Sequence, residues 1–319
     1  MRLTGDRIAG DGPPLLVILG PTAVGKTGLA LQLAEALDGE IVGADSRQIY
    51  RYMDIGTAKP TPAERARVPH HMVDIIEPDD FLTLARYQQM AYAVIDDIHR
   101  RGRLPLLVGG TGQYITAVVE GWSIPQVAPN MALRSELEAF AASHGPEALY
   151  QRLLAVDAAA AEKIHPNNVR RVVRALEVCL ETGQPISELQ RKRPPNYRLL
   201  ELGLTLERQA LYARADRRID AMMAAGFLDE VRDLLARGYD RRLPSMSGLG
   251  YAQLTEYLLG DVTLDEAVQN TKADTRGFIR RQETWFRGHD NGILWHNVDH
   301  IEVQVMIEHI RNWLDSSVS

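Results

Sequence analysis

Leu15-Leu16-Val17-Ile18-Leu19-Gly20-Pro21-Thr22-Ala23-Val24-Gly25-Lys26-Thr27 decides how the rest of this chain is read. Five apolar residues in a row fit a strand buried on both faces of a sheet. Gly20 to Thr27 then matches G-x-x-x-x-G-K-[ST] at every fixed position. Behind it Leu29, Leu33 and Leu37 recur every fourth residue, the spacing of one helix face. In a strand, glycine loop and helix of this kind, successive backbone N–H groups and the helix N-terminus surround an anion. Lys26 adds a full positive charge, and the Thr27 hydroxyl can ligate Mg²⁺. We expect Gly20, Pro21, Thr22, Ala23, Val24, Gly25, Lys26 and Thr27 to hold a di- or polyphosphate. The stretch does not name the reaction.

Outward from this unit, two more buried strands are expected. Glu40 to Ala44 runs into Asp45-Ser46, and Leu104 to Val108 runs into Gly109-Gly110-Thr111-Gly112-Gln113-Tyr114. Ligands of open α/β sheets sit at the carboxyl ends of the strands, so these turns should share one crevice with the first loop. Asp45 there suits either a base or Mg²⁺ ligand, or the N-cap of a following helix. Thr111 offers a hydroxyl donor and acceptor, or simply caps the next helix. The loop Met53 to Pro60 follows the first of these turns. Beyond it come His70-His71, whose adjacency favours hydrogen bonding over metal chelation. Residues 84–101 carry Leu84, Tyr87, Ala91, Val94, Ile95 and Ile98 on one helical stripe.

Near Trp122 the character changes, with Pro125, Pro129 and Asn130 marking a boundary. Residues 131–193 read as almost purely helical. Val169, Val172, Val173, Leu176 and Leu180 form the apolar face of one helix closed by Gly183, with Cys179 near that face as inert core. Arg170 and Arg174, four apart, share another face with Arg171 beside them. Arg191-Lys192-Arg193-Pro194-Pro195 ends the insert. Leu199 to Leu206 reads as a strand returning to the sheet. A helix over 208–225 turns Leu211, Ala215, Ile219 and Met222 to the core, with Arg214 and Arg218 one turn apart. More helices follow through 245–290, then a strand at Ile293 to Val298 and a closing helix. The expected fold is α/β, a P-loop NTPase-like parallel sheet core (1–124 and 196–319) carrying a helical insertion domain (125–195). Residues 1–13 read as a loose leader.

Composition bounds the function. At 45% hydrophobic and 24% charged residues, the 319-residue chain is an ordinary globular protein. One cysteine excludes an intrachain disulfide and fits a reducing compartment. No apolar run reaches the length of a membrane span. We expect a cytoplasmic monomer. The net charge of −6 is uneven: between Lys163 and Arg218 there are 12 Lys or Arg against 6 Asp or Glu. Such a basic island is either a nucleic-acid footprint or a set of solvated helix faces.

Several stretches together, collinear from about residue 15 to 290, resemble the bacterial tRNA dimethylallyltransferases. They are the glycine loop, Asp45-Ser46-Arg47-Gln48-Ile49-Tyr50, Met53 to Pro60, Leu106 to Tyr114, His165-Pro166-Asn167-Asn168, Arg174-Ala175-Leu176-Glu177-Val178 and Arg281-Gln282-Glu283-Thr284-Trp285. That family prenylates N6 of the adenosine beside the anticodon. The resemblance implies dimethylallyl diphosphate in the first loop with Arg218, Mg²⁺ at Thr27, Asp45 as the base and Thr111 orienting substrate. It also implies a tRNA anticodon stem-loop contacted by Asp45, Ser46, Arg47, Gln48, Thr111, Arg134, the run Arg170, Arg171, Val172, Val173 and Arg174, and Arg214, and it leaves open which of Arg214 and Arg218 meets diphosphate and which tRNA. Other classes share the core: a prenyltransferase acting on free AMP, a small-molecule kinase, and a non-catalytic RNA-binding module. A kinase has no need of a long basic helical insert, and an RNA-binding module has no need of Asp45 or Thr111.

Overall fold

The structure, a computed structural model, describes residues 12–290 and 292–316. The leader read over 1–13 therefore lies almost wholly outside the described residues. The chain divides into two compact units, Met1–Val119 with Asn196–Ser319, and Glu120–Pro195.

The first unit is built on six strands: β1 Pro14–Leu19, β2 Gly39–Ala44, β3 His70–His71, β4 Leu104–Gly109, β5 Arg198–Thr205 and β6 Leu294–Asn297. Their order is β3-β2-β4-β1-β5-β6, with every pairing parallel. The helices are α1 Lys26–Ala36, α2 Pro62–Arg67, α3 Leu84–Arg100 and α4 Gly112–Glu120 before the second unit. That unit holds α5 Met131–His144, α6 Pro146–Val156, α7 Ala158–Ala161, α8 Val169–Thr182 and α9 Ile186–Leu189. After it come α10 Arg208–Ala224, α11 Phe227–Ala236, α12 Tyr251–Leu258, α13 Leu264–Gly288 and α14 Val303–Asp315. The expected α/β class with a parallel sheet and helical insertion is what forms.

β1 is central because both of its faces find apolar partners. Leu16 and Ile18 enter one core with Leu33, Leu106 and Leu202. Leu15, Val17 and Leu19 enter the other with Tyr87, Ile95 and Leu107. Side chains alternate across a strand, so a continuous apolar run is what a doubly covered strand requires. Each such side chain contributes about 1.5–3 kcal/mol on burial. Register then builds the site. Leu19 lies opposite Gly109, and Gly109 opposite Ala44. The residues that follow, Gly20, Gly110 and Asp45, therefore leave the sheet side by side.

One element of this unit has no counterpart in the sequence reading. β3 is only two residues long, too short to show a period in the sequence. Its histidines make hydrogen bonds: His71 Nε2 lies 2.7 Å from Glu40 Oε2, and His70 Nδ1 2.8 Å from the Val68 carbonyl. The region 245–290 condenses into α12 and one long helix, α13, whose start is a capping box between Thr263 and Glu266.

The second unit has its own core, which includes Leu137, Leu149, Leu153, Val172, Val173 and Leu176. Val172 and Val173 are 0% and 3% exposed. The apolar-face reading holds for both, and the resemblance's placing of them among tRNA contacts therefore leaves only their backbone for that role. Leu180, expected on the same buried face, is 55% exposed in the last turn of α8. Helical periodicity shows which way a residue points, not how far the covering helices extend. Among the described residues no helix is long and apolar enough to cross a membrane.

Candidate active site

α1 begins at Lys26 with Gly25 as its N-cap, at φ +110° and without a side-chain cap. Its first-turn N–H groups thus have no side-chain partner, which is the state an anion completes. Gly20 and Ala23 also sit at positive φ, so the loop curls back over the end of β1. Lys26 Nζ donates to the carbonyls of Gly20 at 3.0 Å and Pro21 at 2.9 Å. Burial lowers the Lys26 ammonium to about 8; the Asp45 carboxylate opposes that shift and the Arg218 guanidinium adds to it. The Thr27 hydroxyl is exposed and makes no hydrogen bond to the described residues.

Asp45 stands at the end of β2. No helix follows it. The chain makes a turn instead, and Asp45 Oδ1 accepts from the Arg47 N–H at 2.8 Å. The helix N-cap reading is thereby replaced by an Asx-type turn that leaves Oδ2 uncommitted to it. Thr111, leaving β4, accepts from the Ser46 N–H at 3.0 Å and donates to Ser46 Oγ at 3.3 Å. Its hydroxyl faces the Asp45 turn rather than capping α4. Asp45, Ser46 and Thr111 are therefore one fixed cluster.

Arg47 and Gln48 spend their donors on the protein. Arg47 Nη1 donates to the Pro244 carbonyl at 2.7 Å, and Gln48 Nε2 to the carbonyls of Thr57 and Ala58 at 3.1 Å. The Gln48 bonds hold the Met53 to Pro60 loop, and the Arg47 bond holds the segment at Pro244. The Glu230 carboxylate grips the same loop by accepting from the N–H groups of Asp54, Ile55 and Gly56 and from the Tyr251 hydroxyl.

Two arginines of α10 complete the positive side. Arg214 Nη1 reaches the Val24 carbonyl at 3.5 Å, and Nη2 lies 3.3 Å from where a Cβ on Gly25 would stand. Arg214, whose share between tRNA and diphosphate the resemblance leaves open, thus lies over the first glycine loop. Arg218 is half-buried within the charge field of Asp45, Lys26 and Arg214. Burial lowers its pKa, but an arginine begins so high that it stays charged.

Of these groups Asp45, Ser46, Arg47, Thr111 and Arg218 line one cavity of about 330 Å³. Thr22, Asp45, Thr111, Arg218 and Gln282 make a polar end. Ala215, Ile219, Met222, Phe227 and Phe278 supply apolar wall. Gln282 has no expected role. It accepts from the Thr22 N–H and donates to the Gly110 carbonyl, each at 2.8 Å. Nothing local in the sequence signals this, although Gln282 falls inside a stretch that carries the family resemblance.

In the second unit, α8 sorts its arginines. Glu177 is completely buried and accepts from Arg134 Nε and Nη2 at 2.8 Å, Arg174 Nη1 at 2.5 Å and the Asn130 N–H at 2.8 Å. These partners hold its carboxyl below the usual range, against the opposing effect of burial. Arg170 and Arg171 are exposed and make no ion pair with the described residues. Arg134 and Arg174 are thus structural clamps first, while Arg170 and Arg171 are free to meet a polyanion.

The sequence model of the IPP transferase family matches residues 48–289. A tRNA dimethylallyltransferase of Roseiflexus castenholzii is 61% identical over 274 residues, 86% of this chain and 90% of that one. A tRNA dimethylallyltransferase of Dehalococcoides mccartyi is 48% identical over 301 residues, 94% of this chain and 93% of that one. The full-length tRNA isopentenylpyrophosphate transferase of Bacillus halodurans superposes with TM-score 0.70 at 43% identity, covering 96% of this chain and 97% of that one. A eukaryotic dimethylallyltransferase acting on tRNA gives TM-score 0.80 at 26% identity, over 96% and 80%.

Proposed function

This chain belongs to the IPP transferase family, and on that premise we propose that it transfers a dimethylallyl group from dimethylallyl diphosphate to N6 of the adenosine next to the anticodon of tRNA. It is a prenyltransferase of tRNA modification. The observation that carries the finer reading is that Asp45, Thr111 and Arg218 line one cavity together with Thr22 and Ala23 of the first glycine loop, whose α1 terminus is uncapped.

The diphosphate lies at the N-terminus of α1 against Lys26, with Arg214 and Arg218 on its flank. As the bond from the prenyl C1 to oxygen breaks, negative charge grows on the diphosphate. The cations and backbone dipoles are already in place to receive it. The N6 amine forms the new bond to C1, and its proton passes to Asp45. Thr111, fixed to Ser46, orients the acceptor beside that carboxylate. The apolar wall excludes water from the allylic carbon.

The donor set also fits Mg²⁺, which keeps most of its waters and takes few protein oxygens beside phosphate. The unpartnered Thr27 hydroxyl would hold it, and the ion would supply charge neutralisation of the leaving group. The target base leaves its stack to enter the cavity, at a cost of a few kcal/mol. Arg170 and Arg171 contact tRNA phosphates.

Labelled dimethylallyl diphosphate incubated with an anticodon stem-loop or with AMP tests the reading. We expect label in the stem-loop only. Labelling of AMP at an equal rate would make the acceptor a free nucleotide.

A further inference from the structure

We infer that Gln282 is a positioning residue that sets the distance between the leaving group and the acceptor. The inference rests on the diphosphate reading of the first loop. Gln282 projects from α13 and is 6% exposed. Its carboxamide joins the two glycine turns, Thr22 N–H on one side and the Gly110 carbonyl on the other, both at 2.8 Å. The amide orientation is dictated by its partners: Thr22 offers only a donor and Gly110 only an acceptor there, so a flipped amide would lose both bonds.

The first turn carries the phosphate loop, and the second carries Thr111 one residue on. Thr111 is in turn bonded to Ser46, beside Asp45. One side chain therefore spans from the leaving-group side of the reaction to the acceptor side. The approach is close: a Cβ on Gly110 would stand 2.6 Å from Gln282 Nε2 and 3.4 Å from Lys26 Nζ. Trp285, one turn further along α13, packs over Gly112 and donates to Thr116 Oγ1 at 3.2 Å. α13 thus braces the second turn at two points, while the first is bound to it through Gln282. The α1 end of the phosphate loop does not depend on this bridge, since Lys26 is held by the Gly20 and Pro21 carbonyls.

A bridge of this kind acts on reaction geometry more than on affinity, because misplacement by about 1 Å can cost about 10²-fold in rate. Gln282→Leu removes both bonds. It should lower the single-turnover rate at saturating tRNA and dimethylallyl diphosphate about 10- to 100-fold, and inorganic pyrophosphate should bind within about threefold of wild type. Gln282→Glu keeps the acceptor for Thr22 but turns an ionised oxygen on the Gly110 carbonyl. That repulsion should lower the single-turnover rate as well.

A folded Gln282→Leu protein with the wild-type single-turnover rate would overturn the inference. If that variant does not fold, a folded Gln282→Glu protein with the wild-type single-turnover rate overturns it instead. Wild-type protein that fails to bind inorganic pyrophosphate would overturn the diphosphate reading and this inference together. Normal pyrophosphate binding with an unaffected variant rate would overturn this inference alone.

Discussion

Asp45 and Lys26 feel each other's opposite charge and have separable tasks. Asp45→Asn keeps the size of the side chain and the oxygen that accepts from the Arg47 N–H. The turn should survive, with a change in melting temperature no larger than a surface substitution gives. Loss of the proton acceptor should cut single-turnover transfer about 10²–10⁴-fold, roughly 3–5 kcal/mol of barrier. A normal rate with a lowered melting temperature would reduce Asp45 to a turn residue. Lys26 makes a pH prediction. Its ammonium is lowered to about 8 by burial, so the free protein sheds this proton above that pH. A bound diphosphate favours the charged form, so binding above pH 8 takes up a proton and weakens about tenfold per pH unit. Calorimetry of dimethylallyl diphosphate binding at pH 8.5, in two buffers of different ionisation enthalpy, measures the uptake. It should vanish in Lys26→Met, and a wild type without uptake would mean that the free site keeps Lys26 charged.

At the level of elements, α8 shows one helix serving two ends. Its inner face is core. Its charged residues split between the Glu177 clamp and the solvent. Replacing Arg170 and Arg171 with Ala should flatten the salt dependence of tRNA binding by about 0.7–0.9 in slope per lost phosphate contact, with little change in melting temperature. Glu177→Ala leaves Arg134 and Arg174 without their shared carboxylate and should destabilise the second unit by about 3 kcal/mol or more. An unaltered salt slope in the first variant would show Arg170 and Arg171 to be ordinary surface charges. The basic excess read along the sequence is thus a local property of a few exposed side chains: residues 120–195 as a whole carry as many acidic as basic groups.

For the molecule as a whole, one buried carboxylate ties the far end of the sheet. Glu40 of β2 is 2% exposed and is met by Arg101, His71 and Arg103. Hydrogen bonding from Arg101, then from His71, brings it down to about 2 against the cost of burial. The folded value lies below the unfolded one near 4.5. Its contribution is therefore complete above about pH 4.5 and disappears as pH falls through about 2. Between those limits the melting temperature of the wild type should fall more steeply than that of Glu40→Gln. Parallel slopes would show that the cluster contributes nothing to acid stability.

The sequence by itself determined β1, its glycine loop and α1, together with Asp45 and Thr111 as candidates. Each of these is encoded within a few neighbouring residues: an unbroken apolar run, a fixed loop spacing, a turn at a strand end. It also carried the family resemblance. Only the tertiary structure decided that Gly20, Gly110 and Asp45 emerge in one row, because strand order and register are set by pairing between distant segments. It decided likewise that Arg214 lies over the first glycine loop, that Arg134 and Arg174 are drawn to Glu177, and that Leu180 stands outside the core its period predicts. Gln282 shows the reason most directly. Its partners, Thr22 and Gly110, stand far away along the chain, and a hydrogen bond of that span leaves no local pattern. What a residue is can be read from its neighbours in sequence; what it touches depends on the packing that brings remote turns together.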